Sequence, residues 1–368
     1  MAKDPIVIET TGLVLTRLGV LPTLEPVVIH PPGPDEVLVR IHAAGVCHTD
    51  LGYVRYARAT PVILGHEGAG IVAAVGERVT HTQPGDPVVI NWQAKCGRCV
   101  RCLAGRRDLC ENIQGTQGPR VYWQGAPLHV MLNAGVFCPY AVVPAAGAIP
   151  IRHDIPLTKA ALLGCAVATG VGAALYTAGV APGDHVVVLG AGGVGLNVVQ
   201  GARLANAGKI IVFDLDESKL ALARQFGATH AINADAGSTV AAVQSLTHGR
   251  GVDYVFEAVG VPALAQQGIE MLARGGALVL IGAADRDAVL SLAPRRFMSM
   301  QQRLLGCIFG NIRPELDLPA FADWYMDGRL HLDELHTHTI MLDELPAYFA
   351  NHADRPGIRT VVTMEHIA

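Results

Sequence analysis

Hydrophobic and polar positions change rhythm once along the chain. Through roughly the first 150 residues, short apolar runs such as "EVLVRIHAAG", "GAGIVAAVG" and "GDPVVIN" alternate with glycine- and proline-rich turns, which predicts short strands. No long amphipathic pattern interrupts them, so this part is expected to be mainly β. From residue 167 the apolar runs "HVVVLG", "KIIVFD", "HAIN", "VDYVFEA", "GALVLIG" and "LLGCIFG" are separated by helical stretches. Two of these, "DESKLALARQFG" and "PALAQQGIEMLARGG", are expected to close at a C-terminal glycine. Six strands joined by crossovers predict a doubly wound parallel sheet of the Rossmann type, so the fold class is α/β with a mainly β partner domain. The expected domains are 1–166, with a cysteine lobe at about 92–112, then 167–306, then a return of 307–368 to the first domain through the strand-like "IRTVVTM".

The length of 368 residues supports two cores, and 51% hydrophobic against 16% charged residues leaves little room for disorder. A net charge of -4 and a pI near 6.4 give no basic footprint, which argues against nucleic acid as a partner. Mean hydropathy is +0.34. Even so, glycine and proline break the apolar stretches "HVVVLGAGGVGLNVVQ" and "FCPYAVVPAAGAIPI" before spanning length, so no membrane partner is expected. The opening "MAKDPIVIETTG" has no charged n-region followed by an apolar core, and a cytoplasmic location is expected.

The stretch "VVVLGAGGVG" sets Gly190, Gly192 and Gly195 as G-x-G-x-x-G between a strand and a helix. Such glycines let backbone N–H groups approach a pyrophosphate at a helix N-terminus. Asp214 ends the next strand, 19 residues beyond Gly195, where a carboxylate accepts from ribose hydroxyls and repels a 2′-phosphate. NAD is therefore expected rather than NADP.

Four of the eight cysteines crowd into "CGRCVRCLAGRRDLC" as Cys96, Cys99, Cys102 and Cys110. A disulfide framework is not expected in a reducing compartment. Four thiolates can close a tetrahedral zinc shell with no open position, a structural site. An iron–sulfur cluster is the rival, but the run lacks the C-x3-C-P ending of bacterial ferredoxins.

Together "GVCHTD", "GHEGAGIV", the cysteine lobe, "LLGCAVATGVGAA", "VLGAGGVGL", "FDLDESK", "GCIFG" and "GIRTVV" resemble the zinc-dependent medium-chain alcohol dehydrogenases nearly end to end. The resemblance implies a GroES-like first domain, two zinc ions per chain, and reversible oxidation of an alcohol to an aldehyde or ketone with NAD accepting the hydride. Cys47, His66 and Cys165 match the catalytic zinc ligands, and three ligands with one open position suit a catalytic ion. Asp50 matches the acceptor that orients His66. Glu67 matches a glutamate beside the metal, or is a structural carboxylate. The resemblance gives Thr49 the hydroxyl that passes the alcohol proton outward. It assigns His48, Lys219, Arg359, Thr169 and the Gly193 and Val194 backbone to the cofactor, with His48 and Arg359 at the pyrophosphate. Trp92 and Phe137 match walls of the substrate pocket, or are core aromatics. Cys138 and Cys307 read as buried apolar fillers.

Two departures from the family pattern matter. The family's outer proton acceptor is a histidine five residues past the first zinc cysteine. Here that position is Gly52, leaving direct delivery to water or a turned His48 as replacements. The glutathione-dependent branch carries an arginine shortly after the fourth lobe cysteine, where this chain has Gln114. Simple alcohols, aromatic ones included, are thus the expected substrates. Rival readings are a zinc-free reductase of the same fold, which would lack the ligands, a nicotinoprotein with permanently bound NAD, and a non-catalytic zinc and NAD scaffold. Assembly as a homodimer or homotetramer is expected.

Overall fold

The computed structural model describes residues 7–351 and 357–364; the "MAKDPI" start of the stretch read for a leader lies outside the described residues. The chain forms two compact units. One takes the described residues through Cys165 and from Arg313 onward, and the other is Ala166–Ile312. The segment after the sixth crossover strand, expected to leave at 307, stays with the second unit to Ile312.

The first unit is built on strand Glu36–Gly45, whose run EVLVRIHAAG is buried at most positions because strands flank it on both edges. Among the described residues, its sheet runs Ala148–Pro150, Pro87–Ile90, Glu67–Val75, Glu36–Gly45, Arg359–Thr363 and His336–Met341, and Tyr140–Pro144 also pairs with Glu36–Gly45. Register puts Gly45 opposite Glu67 on one side and opposite Val361 on the other. Residues from the two ends of the chain thereby meet at one strand end. A second sheet runs from Ala126–Pro127 through Ile8–Leu15 to His129–Val130, and Leu13, Leu15, Val37, Ile41, Leu64 and Phe137 belong to one buried core cluster.

The second unit carries six parallel strands in the order His230–Asn233, Lys209–Asp214, His185–Leu189, Val252–Glu257, Leu272–Leu280, Arg303–Gly306. Strand order reverses beside His185–Leu189, which opens a crevice at the strands' C-terminal ends. Helix Glu217–Phe226 starts at Asp216, whose side chain accepts the Ser218 N–H at 2.8 Å, and ends at Gly227 with φ +113°. Helix Pro262–Met271 corrects its expectation. It stops before Gly275, because Leu272 is already extended and Leu272–Leu280 is a strand. The last strand is also shorter than "LLGCIFG", ending at Gly306.

One helical run, Leu157–Ala178, is long and apolar enough to cross a membrane by length and composition, and 78% of its most apolar window is buried inside the protein. That burial is what a core helix shows. Its alanines and glycines give no amphipathic period, so nothing in the pattern announces it. Two π-helical turns, Leu163–Val167 and Ala173–Ala178, interrupt it, and Cys165 lies on the first.

Candidate metal and dinucleotide sites

Cys47, His66, Glu67 and Cys165 each offer one ligand atom, and these four atoms lie within 4.8 Å of one another. Cys47 follows strand Glu36–Gly45 and caps helix His48–Tyr56, its Sγ accepting the Thr49 N–H at 3.5 Å. Three residues on, Asp50 is fully buried and serves two neighbours. Its Oδ2 accepts the Cys47 N–H at 2.8 Å, and its Oδ1 is 3.0 Å from His66 Nδ1. A hydrogen bond from Nδ1 fixes the tautomer in which His66 Nε2 is a lone-pair donor. The Thr49 hydroxyl lies 3.6 Å from Cys47 Sγ.

Glu67 lies between the other three and Arg359. Its Oε2 pairs with the Arg359 guanidinium, and its Oε1, 4.0 Å from His66 Nε2, is buried without a hydrogen-bond partner. The pair spans 292 residues of sequence and is possible because position 45 is glycine. A Cβ there would overlap Glu67 Oε2 and reach 3.3 Å from the Arg359 guanidinium. Burial pushes the Glu67 carboxyl up to about 7, against the pull of Arg359. The neighbouring Cys165 thiol draws Cys47 well below its ordinary range, while Cys47 and burial hold Cys165 well above its own. Burial disfavours the His66 cation, but the charge and hydrogen bond of Asp50 outweigh it and raise the imidazole. Two thiols, an imidazole held through Nδ1 and a carboxylate oxygen with no hydrogen-bond partner are the donor types zinc takes, and binding it would release the protons of the thiols and of the imidazole Nε2.

The Trp92 ring meets His66 edge-on at 6.3 Å. Phe137, by contrast, is 0% exposed and sits in the core cluster. His48 is exposed at the start of its helix. Arg359 is only 6% exposed and is engaged with Glu67, with its Nε buried and unpaired. No local signal in the sequence links Glu67 to Arg359 or marks Gly45 beneath them. At the far end of helix His48–Tyr56, a Cβ at Gly52 would overlap the Tyr56 hydroxyl, a neighbour that sequence reasoning missed.

The lobe cysteines Cys96, Cys99, Cys102 and Cys110 also bring their sulfurs within 4.8 Å of one another, and all eight cysteines are free thiols. The loop's own backbone holds these sulfurs: Cys96 N–H donates to Cys110 Sγ at 3.3 Å, Cys99 N–H to Cys96 Sγ at 3.4 Å, and Cys102 N–H to Cys99 Sγ at 3.5 Å. The Glu111 and Cys102 N–H groups bring Cys99 down to about 6, whereas burial and the Cys99 thiol push Cys102 up to about 12. Four thiols already converged in one short loop fit a structural zinc site.

In the second unit the three motif glycines have three different reasons. Gly190 has φ +95°, which only glycine adopts readily. A Cβ at Gly195 would overlap the Gly190 carbonyl oxygen, so that helix could not pack on the turn. Gly192 has an ordinary extended backbone, and a Cβ there would meet nothing within 4 Å. Neither packing nor conformation requires glycine at 192, which leaves room above the helix N-terminus for a ligand. Gly193, Val194 and Gly195 form the first turn of helix Gly193–Leu204. Thr169 is adjacent to Gly170, whose absent side chain lets the backbone pack against that turn at Val194. Asp214 accepts the Ala191 N–H at 2.7 Å and the Asp216 N–H at 3.0 Å, tying its strand to the glycine turn. A cavity of about 790 Å³ opens beside it, lined in part by Gly190, Phe213, Leu215, Ser238 and Val259. Lys219 is half-buried on the helix that follows.

These sites agree with what the chain is similar to. Residues 33–153 match the alcohol dehydrogenase GroES-like domain, and residues 193–326 match the zinc-binding dehydrogenase domain. The S-(hydroxymethyl)glutathione dehydrogenase of Paracoccus denitrificans is 37% identical over 351 residues, covering 90% of this chain and 93% of that protein. The class-3 alcohol dehydrogenase of Cereibacter sphaeroides is 36% identical over 90% of this chain and 93% of its own. Among solved structures, an alcohol dehydrogenase zinc-binding domain protein from Burkholderia ambifaria has a TM-score of 0.92 at 33% identity, covering 98% of this chain and 100% of that one. The benzyl alcohol dehydrogenase of Acinetobacter calcoaceticus has a TM-score of 0.90 at 29% identity, covering 97% and 99%.

Proposed function

Because the chain belongs to the zinc-dependent medium-chain alcohol dehydrogenase family, we propose that it interconverts an alcohol and its aldehyde or ketone, exchanging hydride with NAD. The observation that carries this reading is the convergent donor cluster. Cys47, His66 and Cys165 would hold a catalytic zinc, while Arg359 engages Glu67 and leaves a position for substrate. Zinc there supplies Lewis acidity toward an alcohol hydroxyl, and NAD supplies the hydride acceptor.

The chain's own residues do the rest. Asp50 keeps His66 in its ligating tautomer. Thr49 accepts the alcohol proton and passes its own outward. In this reading the first unit is the catalytic domain and the second the NAD domain. Gly190, Gly192, Gly193, Val194 and Gly195 receive the pyrophosphate, with Thr169 and Lys219 of the same unit, and Asp214 accepts from the ribose. The carboxylate at Asp214 disfavours the extra phosphate of NADP. A second zinc in the lobe is structural. Exchangeable NAD, a cytoplasmic location and assembly as a homodimer or homotetramer belong to the same reading.

For the substrate we favour simple alcohols, aromatic ones included. Gln114 has no charge with which to make a bidentate pair to a glutathione carboxylate. The aromatic edge of Trp92 beside His66 suits an apolar alcohol. The test is a panel of primary, secondary and aromatic alcohols and S-hydroxymethylglutathione, each with NAD and with NADP, followed at the reduced nicotinamide absorbance. We expect NAD-dependent oxidation of simple alcohols. Turnover of S-hydroxymethylglutathione with none of the others would overturn the substrate assignment, and faster reaction with NADP would overturn that of Asp214.

A further inference from the structure

We infer that the Tyr56 hydroxyl is the outer station of the proton path that begins at Thr49, an inference that rests on the dehydrogenase reading above. Thr49, Gly52, Tyr53 and Tyr56 fall at i, i+3, i+4 and i+7 of helix His48–Tyr56 and share one face. A helical side chain leans toward the N-terminus, so Tyr56 lies back over Gly52. The fit there is close. A Cβ at Gly52 would overlap both the hydroxyl and the ring carbon that bears it. Gly52 is buried, while Tyr56 is 44% exposed. The phenol therefore bridges the buried helix surface near Thr49 and solvent.

Glycine inside a helix is destabilising, and no left-handed backbone requires it at 52. What the missing side chain does here is admit the Tyr56 hydroxyl. Other acceptors on this helix are poorly placed. Asp50 is fully buried and already serves the Cys47 N–H and His66. Tyr53 packs its ring against the core. Thr49 lies one turn closer to Cys47 than Gly52, a backbone rise of roughly 4.5 Å, and the inferred path places a bridging water between the two hydroxyls.

The proton balance is simple. The alcohol loses its hydroxyl proton to Thr49, and the Thr49 proton moves toward Tyr56. The Tyr56 oxygen accepts it as its own O–H proton leaves to water or a buffer base. Tyr56 ends unchanged, and the hydride electrons go to NAD.

The test uses the zinc-loaded enzyme mixed with NAD and trifluoroethanol, an alcohol too electron-poor to surrender hydride, in a weakly buffered indicator solution. Proton release is followed by stopped flow, so the readout is independent of turnover. Tyr56→Phe keeps the ring and its contact with Tyr53 at 6.2 Å, removing only the hydroxyl. We expect release at least about tenfold slower, recovered by small buffer bases, with zinc content and NAD affinity unchanged. Gly52→His combined with Tyr56→Ala should restore the rate, because removing the whole ring leaves the space beside position 52 to the imidazole. Native-rate, buffer-independent release from Tyr56→Phe would overturn the inference, as would loss of release on His48→Gln with none on Tyr56→Phe. A native enzyme that neither binds trifluoroethanol with NAD nor oxidises any alcohol would instead sink the dehydrogenase reading, and this inference with it.

Discussion

The two donor clusters each bring four side chains to one point, but by opposite routes. Cys96, Cys99, Cys102 and Cys110 come from one loop, and backbone N–H groups of that same loop hold their sulfurs. Cys47, His66, Glu67 and Cys165 come from three distant stretches, and other side chains hold them: Asp50 on His66, and Arg359 on Glu67. The lobe has four thiols and no donor paired with a side chain outside the loop, which suits closure around an ion. In the other cluster Arg359 holds one oxygen of Glu67, and the proposed reading leaves that carboxylate off the ion and the site open. A closed site contributes to folding and an open one to chemistry. The difference lies less in the ligands than in what holds the fourth one.

The largest effect that separates the clusters should come from a ligand removed from each. His66→Ala should lower kcat/KM by at least about 10³-fold, since a Lewis acid contributes several kcal/mol to the barrier, and should leave the protein folded, with a smaller loss of unfolding midpoint that comes from Asp50 losing its imidazole partner. Cys99→Ala should do the reverse, lowering the midpoint by at least about 5 °C with part of the activity retained at low temperature. Thermal unfolding and initial rates on both variants would expose a mistaken division of roles.

Arg359→Met attacks the device that keeps one cluster open. It leaves Glu67 buried and unpaired, which should cost up to about 3–5 kcal/mol in denaturant unfolding. It should also lower kcat, because the freed carboxylate competes for the fourth position. Adding Glu67→Gln should recover part of the stability. Simple additivity of the two losses would mean that the pair does not act as a unit.

A smaller effect is expected one layer out. Asp50→Asn should weaken zinc binding at the open cluster by about 10–100-fold in chelator competition and leave lobe zinc untouched. Equal loss from both clusters would argue against a specific orienting role.

The last of these contrasts is pH. In the metal-free lobe Cys99 titrates near 6 and Cys102 near 12, so zinc must displace at least the Cys102 proton at neutral pH. Affinity should therefore rise with pH, by about tenfold per unit for each proton released, and fall on acidification. Zinc titrations of the apo lobe between pH 6 and 8, buffered by a competing chelator, would show a flat response if the thiols were already ionised.

What could be read from sequence follows the same local and long-range division. The lobe was legible because its four ligands lie within one spacing pattern. The glycine turn and Asp214 were legible because one βαβ unit contains them. The strands of the parallel sheet announce themselves as apolar runs of strand length, each bounded by turn residues. Cys165 and His66 could be joined to Cys47 only through resemblance, since no local rule links them. The Glu67–Arg359 pair and Gly45 beneath it depend on strand register between the chain's two ends, which periodicity does not encode. Helix Leu157–Ala178 escaped notice because small residues bury it on most sides. Phe137 matched a pocket position by sequence and lies in the core, where neighbours such as Gly65 pack directly on it. The Tyr56 hydroxyl over Gly52 was invisible because a missing side chain does not say what fills its place.

The central claim is that one chain carries one open and one closed zinc site, and metal analysis of the purified protein tests it most directly. The account predicts two zinc ions per chain in the native enzyme, and one in a folded, inactive His66→Ala variant. A single zinc in the native protein, or two in His66→Ala, would contradict it.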